Sequence, residues 1–348
     1  MVKRLFMLAA VTGVSVLVAA PAFAQGAAGK QATSSAPSAS SASSKKYVPP
    51  KTPWGDPDLQ GNYTNKYEQA TPFERPQEFE GKRIEDIQAN ELKAILERRQ
   101  QTAIERAPFL SGDPTGKIAG PMEFRDIYEI KKSIRPWFVT DPSDGKIPPT
   151  TPDARARQAS RPARGSSFSN GVYDSYENLS LYDRCITRGY PNSMMPAIYG
   201  DSFKIIQGQG YVGIMMEMIH ETRIIPLDNR PHVNKGVALD MGDPRGHWEG
   251  HTLVVESTNF KERSIYRNAN PEKMRLVERF TRISPTVLDW SVTVDDPTTW
   301  TRPWTFSIPL TVNDEEPIYE YACHEGNYAI SNILNGSRTS EKEAAAKK

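Results

Sequence analysis

Short apolar runs separated by turn residues dominate the C-terminal half of this chain. Leu276–Ile283 and Thr286–Val294 alternate apolar and polar residues with the period of two that is typical of half-buried strands. His247–Val255 indicates a strand, a tight turn at Glu249-Gly250 and a second strand. Strands joined by short turns, with no helix between them, predict an antiparallel meander. Such a sheet removes its exposed edges most simply by closing into a barrel.

The most apolar stretch of the predicted mature chain also contains charged residues. Phe203–Gln207 and Tyr211–Ile219 predict two strands joined by a reversal at Gly208–Gly210, because glycine reaches positive φ without strain. The second run is apolar on both pleat faces, which predicts a central, buried strand. Glu217 and His220 fall at the end of this run. Burial of ionisable groups is unfavourable unless they are paired or functional, so the sequence points to a site here.

The rest of the chain adds two helices and two strands to this picture. Ile84–Arg106 has an apolar stripe at helical spacing and predicts a helix, and a second helix is expected near Asp153–Ala163. Trp300–Val312 and Ile318–Cys323 predict two further strands. We therefore predict a mostly β fold, in which an N-terminal helix and long extended segments wrap around an antiparallel barrel.

The two ends of the chain differ in composition from its middle. Residues 1–24 have a basic start, an apolar run and small residues before Gln25, as in a secretory signal peptide. Residues 25–52 predict a disordered Ser/Ala-rich tether, and residues 339–348 a disordered tail. Between them we expect one composite domain, 53–338, with a helical and extended region at 53–170 and the barrel at 171–338. No transmembrane segment is expected after signal removal, which predicts a periplasmic or secreted protein.

The charge of the chain bears on whether it binds nucleic acid, and its cysteine content bears on whether it contains a disulfide. Removal of Lys3 and Arg4 changes the formal net charge from +1 to −1, so the mature chain has no basic excess for binding nucleic acid. The chain has two cysteines, Cys185 and Cys323. Because disulfides form in exported proteins, we predict that these two residues are bonded to each other.

Several longer phrases resemble a family of exported bacterial proteins of unknown function, and the resemblance spans roughly Pro53 to Arg338. The phrases are PDLQGNYTN, TPFERP, DPSDGKIPPTTP, IIPLDNRPH, GDPRGHWEGHTLVVESTNF, DDPTTWTRPW and EYACHEGNY. The resemblance implies export but no activity. The family pattern has aspartate where this chain has His251, which weakens any role for that histidine. Gly61-Asn62-Tyr63 is similar to the opening of lipocalin-like barrels, so we expect a lipocalin-like closure.

All five histidines lie in the C-terminal half of the chain, and histidine suits proton transfer because its pKa is near neutrality. We predict His220 as an acid–base residue that lines a cavity, with Glu217 and His324 as its partners. The spacing of the histidines shows no metal motif. A metal site would have to be assembled by the fold from these residues and His247, and we predict none. The identity of any cofactor stays open.

Further polar and aromatic residues on the predicted strands are candidates for ligand binding. Strand alternation places Arg223 on the same face as Glu217, as a possible ion pair. Tryptophans on neighbouring strands offer either core packing or ligand stacking, and an arginine between two of them could bind a carboxylate. The ligand-binding candidates are Arg223, His247, Trp290, Trp300, Arg302 and Tyr321.

Three classes of function agree with these observations. The first is an exported barrel that binds a small apolar or aromatic molecule. The second is a cofactor-independent or metal-assisted enzyme, of the hydrolase, lyase or isomerase type, that uses His220. The third is a structural or interaction module of the cell envelope. A deep cavity favours the first two classes, and a filled barrel favours the third.

Overall fold

Ten strands form one antiparallel sheet that is nearly closed into a barrel. In chain order the strands are β1 Gly61–Thr64, β2 Val139–Asp141, β3 Ser202–Gly208, β4 Tyr211–Met216, β5 Thr222–Pro226, β6 Asp243–Glu249, β7 Thr252–Thr258, β8 Arg275–Ser284, β9 Val287–Asp295 and β10 Trp304–Val312. Their order in the sheet is β5-β4-β3-β1-β10-β9-β8-β7-β6, and β2 pairs with β10. The predicted antiparallel barrel is confirmed.

The computed structural model describes residues 47–110, 129–160, 173–197 and 199–347. Within them the helices are α1 Ala89–Leu110, α2 Pro152–Ser160 and α3 Ala329–Ala346. The described residues belong to one unit, Lys46–Lys348. The predicted signal peptide and most of the predicted tether lie outside the described residues. No helix among the described residues combines the length and apolar character that a membrane crossing requires.

The alternation of side chains along each strand determines which residues fill the barrel. Along β9, buried residues alternate with partly exposed ones, and β8 shows the same alternation through Phe280. The inward side chains form one core cluster dominated by aromatic residues from several strands. Trp290, Trp304 and Phe306 are completely buried within it, and Trp290 packs edge-on against Phe306. Large inward side chains therefore occupy the middle of the barrel.

The two ends of the sheet order, β5 and β6, meet at a seam that depends on one glycine. A Cβ atom on Gly246 would lie 2.7 Å from the side chains of both Ile225 and Leu227. Real Cβ atoms do not approach carbon this closely, so a larger residue here would push the strands apart. Glycine at this position allows the two end strands to approach each other.

Some predicted elements need correction. Strand β4 is not central, because it lies second from the end of the sheet and its outer face is partly exposed. Ile318–Cys323 is not a strand. Since β10 is already paired with β1 and β9, the sheet has no free edge beside it for a later strand. Helix α3 extends into the predicted disordered tail, where Ala, Glu and Lys are strong helix formers.

The predicted disulfide between Cys185 and Cys323 is confirmed. It joins the loop before β3 to the segment that follows β10, across a sequence separation of 138 residues. Asn327 supports the junction by donating its amide to the carbonyl oxygen of Asp183 at 3.3 Å. The disulfide therefore attaches the C-terminal segment to the outside of the barrel.

Candidate functional site

His220 lies on the surface and not in a buried strand, so its predicted placement is wrong. Strand β4 ends at Met216, and Met218–His220 forms a 3-10 turn in which Ile219 and His220 both have positive φ. The side chain of His220 is exposed, and its Nδ1 lies 3.2 Å from the carbonyl oxygen of Tyr321. The turn therefore directs the imidazole away from the barrel core.

The two predicted partners of His220 are also outside the barrel interior. Glu217 is partly exposed at the start of the same turn, and burial raises the pKa of its carboxyl, partly opposed by a hydrogen bond from Ser202. His324 is exposed on the C-terminal segment. A catalytic role for these three residues stays a prediction, without the enclosed cavity that motivated it.

Arg223 and Trp290 do come together, in the middle of the barrel, around a residue that the sequence did not single out. Glu278 of β8 is completely buried, and its carboxylate accepts two hydrogen bonds from the guanidinium of Arg223, at 2.8 and 3.1 Å. The indole Nε1 of Trp290 donates to the same carboxylate at 3.0 Å. Arg223 therefore pairs with Glu278. Alternation along the strand had suggested Glu217 as its partner.

A loop residue completes this buried cluster. The hydroxyl of Tyr190 donates to Glu278, and the Tyr190 ring lies 3.6 Å from the Arg223 guanidinium in a cation–π contact. Burial raises the pKa of Tyr190 well above its ordinary value, which keeps the phenol protonated as a donor. The hydroxyl of Ser257 accepts a further bond from Arg223 at 2.9 Å. Arg223, Glu278 and Tyr190 thus satisfy one another and fill the interior.

The remaining predicted ligand-binding residues are separate from one another. His247 is exposed on β6 and lies 3.2 Å from Glu249, whereas Trp300 is buried and packs edge-on against Trp304. Arg302 is exposed and bonds to Asp141 at 3.1 Å. The tryptophans are thus core residues in this structure, and the set does not form one site.

Tyr321 belongs to a small cluster of tyrosines next to the disulfide. The hydroxyls of Tyr182 and Tyr199 are 2.9 Å apart, and the hydroxyl of Tyr321 is 3.5 Å from that of Tyr199. Burial raises the pKa of Tyr182 to about 12 and raises that of Tyr321 as well. The cluster lines a pocket of about 400 Å³ between the two segments that the disulfide joins.

A larger cavity lies outside the barrel, between the loop that precedes β6 and the loop that connects β7 to β8. We call it the 232–275 groove; its volume is about 1040 Å³. Its apolar lining residues are Val233, Ala238, Phe260 and Met274, of which Phe260 and Met274 are almost completely buried. The other lining residues are mostly polar, namely His232, Asn234, Lys235, Gly236, Thr258, Asn259, Lys261, Glu262, Pro271, Glu272, Lys273 and Arg275.

The charged residues of the groove are mostly cationic. Lys235 and Lys273 are exposed at its edge. The ammonium of Lys261 is already paired with Asp240 at 2.9 Å. An anion placed beside the apolar wall would therefore be within reach of exposed ammonium groups.

One asparagine fixes the shape of the loop that forms this wall. The side-chain nitrogen of Asn259 donates to the carbonyl oxygens of Val233, Asn234 and Val237, at 3.1 to 3.2 Å. Asn259 itself has a φ of 59°, a left-handed conformation that asparagine tolerates better than most residues. The wall of the groove is thus held in place by backbone hydrogen bonds.

His232 is the histidine of this groove and has a buried carboxylate as its partner. Its Nδ1 lies 2.9 Å from Oδ2 of Asp243, and that oxygen also accepts the backbone N–H of Val233 at 2.9 Å. Asp243 is buried, and its other oxygen accepts from Arg245 at 2.6 Å. Nε2 of His232 lies 3.5 Å from Glu256. The imidazole is therefore held by a fixed carboxylate at the wall of the groove.

The sequence analysis missed His232 and Asp243 as candidates. The two residues are 11 positions apart and neither lies in a recognised motif. A usable signal was nevertheless present, because His232 ends the phrase IIPLDNRPH and Asp243 is the second residue of the phrase GDPRGHWEGHTLVVESTNF, two of the stretches behind the family resemblance. Among the described residues, no group of three or more His, Cys, Asp or Glu side chains is arranged to hold a metal ion.

Comparison with known proteins adds no family to these observations. No family model, no curated protein and no solved structure matches this sequence. Any functional conclusion therefore depends on the geometry of the molecule itself.

Proposed function

We propose that this barrel protein binds a small apolar or aromatic molecule in the 232–275 groove, with an anionic group of the ligand beside Lys235 and Lys273. The observation that carries the proposal is the groove itself, whose volume of about 1040 Å³ is at the upper end of the range for ligand sites. Its apolar wall suits the body of such a ligand. The exposed ammonium groups suit an acidic substituent.

The filled interior of the barrel supports a site on the outside. Inward aromatic side chains and the Arg223–Glu278 pair occupy the middle of the barrel. A ligand along the barrel axis, as in a lipocalin, would have to displace a buried ion pair that is held by several hydrogen bonds. A filled barrel also agrees with a structural or interaction module, but the groove favours small-molecule binding because it combines concavity with apolar surface.

We also propose that the mature protein acts outside the cytoplasm. The Cys185–Cys323 disulfide supports this, because structural disulfides persist in oxidising compartments. The predicted signal peptide and the resemblance to exported bacterial proteins point the same way. Proteomic analysis of culture and periplasmic fractions, with the mature N-terminus identified at Gln25, would test the assignment.

Two valines of one loop provide a matched test of the groove. Val233 lines the groove and is 38% exposed, whereas Val237 is 48% exposed and lies outside its lining. A carboxylate at position 233 would stand in the apolar wall and repel an anionic ligand. We expect Val233→Glu to weaken the binding of anilinonaphthalene sulfonate, an anionic aromatic dye, at least about tenfold, or roughly 1.4 kcal/mol.

The control and the contrary outcome follow from the same pair. Val237→Glu adds the same charge to the same loop and should leave the dissociation constant of the dye within about twofold. Binding would be measured by dye fluorescence and by calorimetry on proteins of equal melting temperature. Equal weakening by both variants, or no saturable binding to the unmodified protein, would refute the groove as the ligand site.

A further inference from the structure

We infer that His232 is a general base in the groove and that the groove hydrolyses carboxylic esters whose apolar or aromatic part occupies the proposed ligand site. The inference rests on the proposed function, because the ester must first bind where Val233 and Ala238 offer apolar surface. It moves the acid–base chemistry that the sequence suggested at His220 to a different histidine, 12 residues further along the chain.

The first argument is the fixed orientation of the imidazole. Asp243 has three donors around it, from His232, Arg245 and the backbone of Val233, so its own position is determined. A buried carboxylate that accepts from Nδ1 selects the tautomer in which Nε2 carries the lone pair. His232 lines the groove with a side chain that is 26% exposed, and its Nε2 lies 3.5 Å from Glu256 at the edge of that lining.

The second argument is the balance of charge around His232. Two carboxylates face the imidazole, Asp243 from β6 and Glu256 from β7. Each is already paired with an arginine, Asp243 with Arg245 at 2.6 Å and Glu256 with Arg275 at 2.6 Å. Both carboxylates beside the imidazole therefore already have a cationic partner of their own. A neutral imidazole is the form that a general base requires.

The reaction that needs the fewest additional groups is attack by water. Nε2 of His232 takes a proton from water while the water oxygen bonds to the carbonyl carbon of the ester. The bond from that carbon to the leaving oxygen then breaks, and the proton passes from Nε2 to the departing oxygen. Ester and water become a carboxylic acid and an alcohol, and no oxidant or reductant takes part.

The cationic edge of the groove favours the attack of water on the ester carbonyl. Negative charge develops on the carbonyl oxygen during the attack, and Lys235 and Lys273 supply positive charge to the same groove. The acid product ionises near neutral pH and is then an anionic ligand with an apolar body. The proposed ligand class and the proposed reaction product are therefore the same kind of molecule.

The test compares two histidines that each face a carboxylate. His232→Gln removes the base inside the groove, and His247→Gln removes an exposed histidine beside Glu249 outside it. With 4-nitrophenyl butyrate as the probe, we expect saturable hydrolysis by the unmodified protein. We expect kcat/KM to fall at least about 100-fold in His232→Gln and to stay within about twofold in His247→Gln.

Two further measurements keep the test decisive. The kcat/KM of the unmodified protein should rise from acidic to neutral pH, because a general base must be unprotonated to accept a proton from water, and this measurement needs no variant. Dye binding should be retained by His232→Gln. Saturable binding without saturable hydrolysis would overturn the inference and leave the proposed function intact. Equal activity of the two variants, or a flat pH profile, would also overturn the inference, whereas absence of both binding and hydrolysis would refute both proposals.

Discussion

The buried Arg223–Glu278 pair connects β5, at one end of the sheet order, to β8, near the other end. We expect Glu278→Gln to destabilise the protein strongly although it preserves the shape of the side chain. The side chains of Arg223 and Glu278 are 1% and 0% exposed. Removal of the carboxylate charge therefore leaves a guanidinium in the barrel interior with no compensating anion.

The size of the effect follows from the hydrogen bonds of the carboxylate. Its Oε1 accepts from Arg223, Tyr190 and Trp290, and its Oε2 accepts from Arg223 and Ser257. A glutamine amide in either orientation would direct its NH₂ group at a nitrogen donor of Arg223. Breaking a buried ion pair by removing one partner costs about 3–5 kcal/mol, and we expect Glu278→Gln to fall in this range.

The matched control is the exposed ion pair that Arg279, the next residue on β8, forms with Glu249 of β6. Arg279 faces outward and bonds to Glu249 at 2.7 Å, with both side chains more than 40% exposed. Solvent screens such a pair, so Glu249→Gln should change the free energy of unfolding by less than about 1 kcal/mol. Urea unfolding followed by far-UV circular dichroism would compare the variants without relying on Trp290, whose fluorescence the substitution itself perturbs.

A double-mutant cycle distinguishes pairing from simple packing. Arg223→Met with Glu278→Leu replaces both charges by apolar groups, and we expect this variant to recover at least about 2 kcal/mol relative to the sum of the single changes. The reasoning would be refuted by additive effects, or by equal midpoints for Glu278→Gln and Glu249→Gln.

Three further predictions concern stability. Burial raises the pKa of both Glu68 and Asp201 to about 7, from ordinary values of 4.5 and 3.8. Between these pKa values the folded state holds protons that the unfolded chain has released. The contribution of the two carboxyl groups to the free energy of unfolding is therefore complete below about pH 4. It is lost as the pH rises through about 7, by roughly 3–4 kcal/mol per group. Urea titrations should show this slope in the native protein and its absence in Glu68→Gln/Asp201→Asn. Gly246→Ala should lower the free energy of unfolding by about 1–3 kcal/mol, because it overpacks the seam between β5 and β6. Gly208→Ala, with open space around its Cβ position, should lower it clearly less. Equal losses of stability would contradict the close approach of the two strands. Cys185→Ser should lower the free energy of unfolding by up to about 5 kcal/mol in the chain-entropy picture. It should also expose α3 to limited proteolysis. An unchanged digestion pattern would contradict the role of the disulfide as the main attachment of that helix.

The elements whose pairing is local could be predicted from the amino-acid sequence. β6 and β7, and likewise β8 and β9, are adjacent hairpins, and the turn residues between them set their register. Alternation along these strands correctly indicated which side chains enter the core. The disulfide was also predictable, because two cysteines in a chain that is predicted to be exported allow one intramolecular pairing.

The tertiary structure alone decided the pairings of residues that are distant in sequence. β1 lies between β3 and β10, two strands far from it along the chain, and no local turn specifies that arrangement. Arg223 selected Glu278, 55 residues away, over the nearer Glu217 because only Glu278 faces the same interior. Alternation assigns a face to a side chain but does not choose a partner among all residues on that face.

The residues of the candidate site also depended on features that the sequence pattern does not show. The strand pattern placed His220 in the core because it assumed extended backbone, whereas positive φ at Ile219 and His220 ends the strand and turns the imidazole to the surface. His232 and Asp243 looked unremarkable in the sequence because neither follows a periodic pattern. Their hydrogen bond belongs to a loop that folds back on the start of β6, and Asn259, which follows β7, bonds to carbonyl oxygens of that loop, an irregular arrangement that no alternation in the sequence indicates.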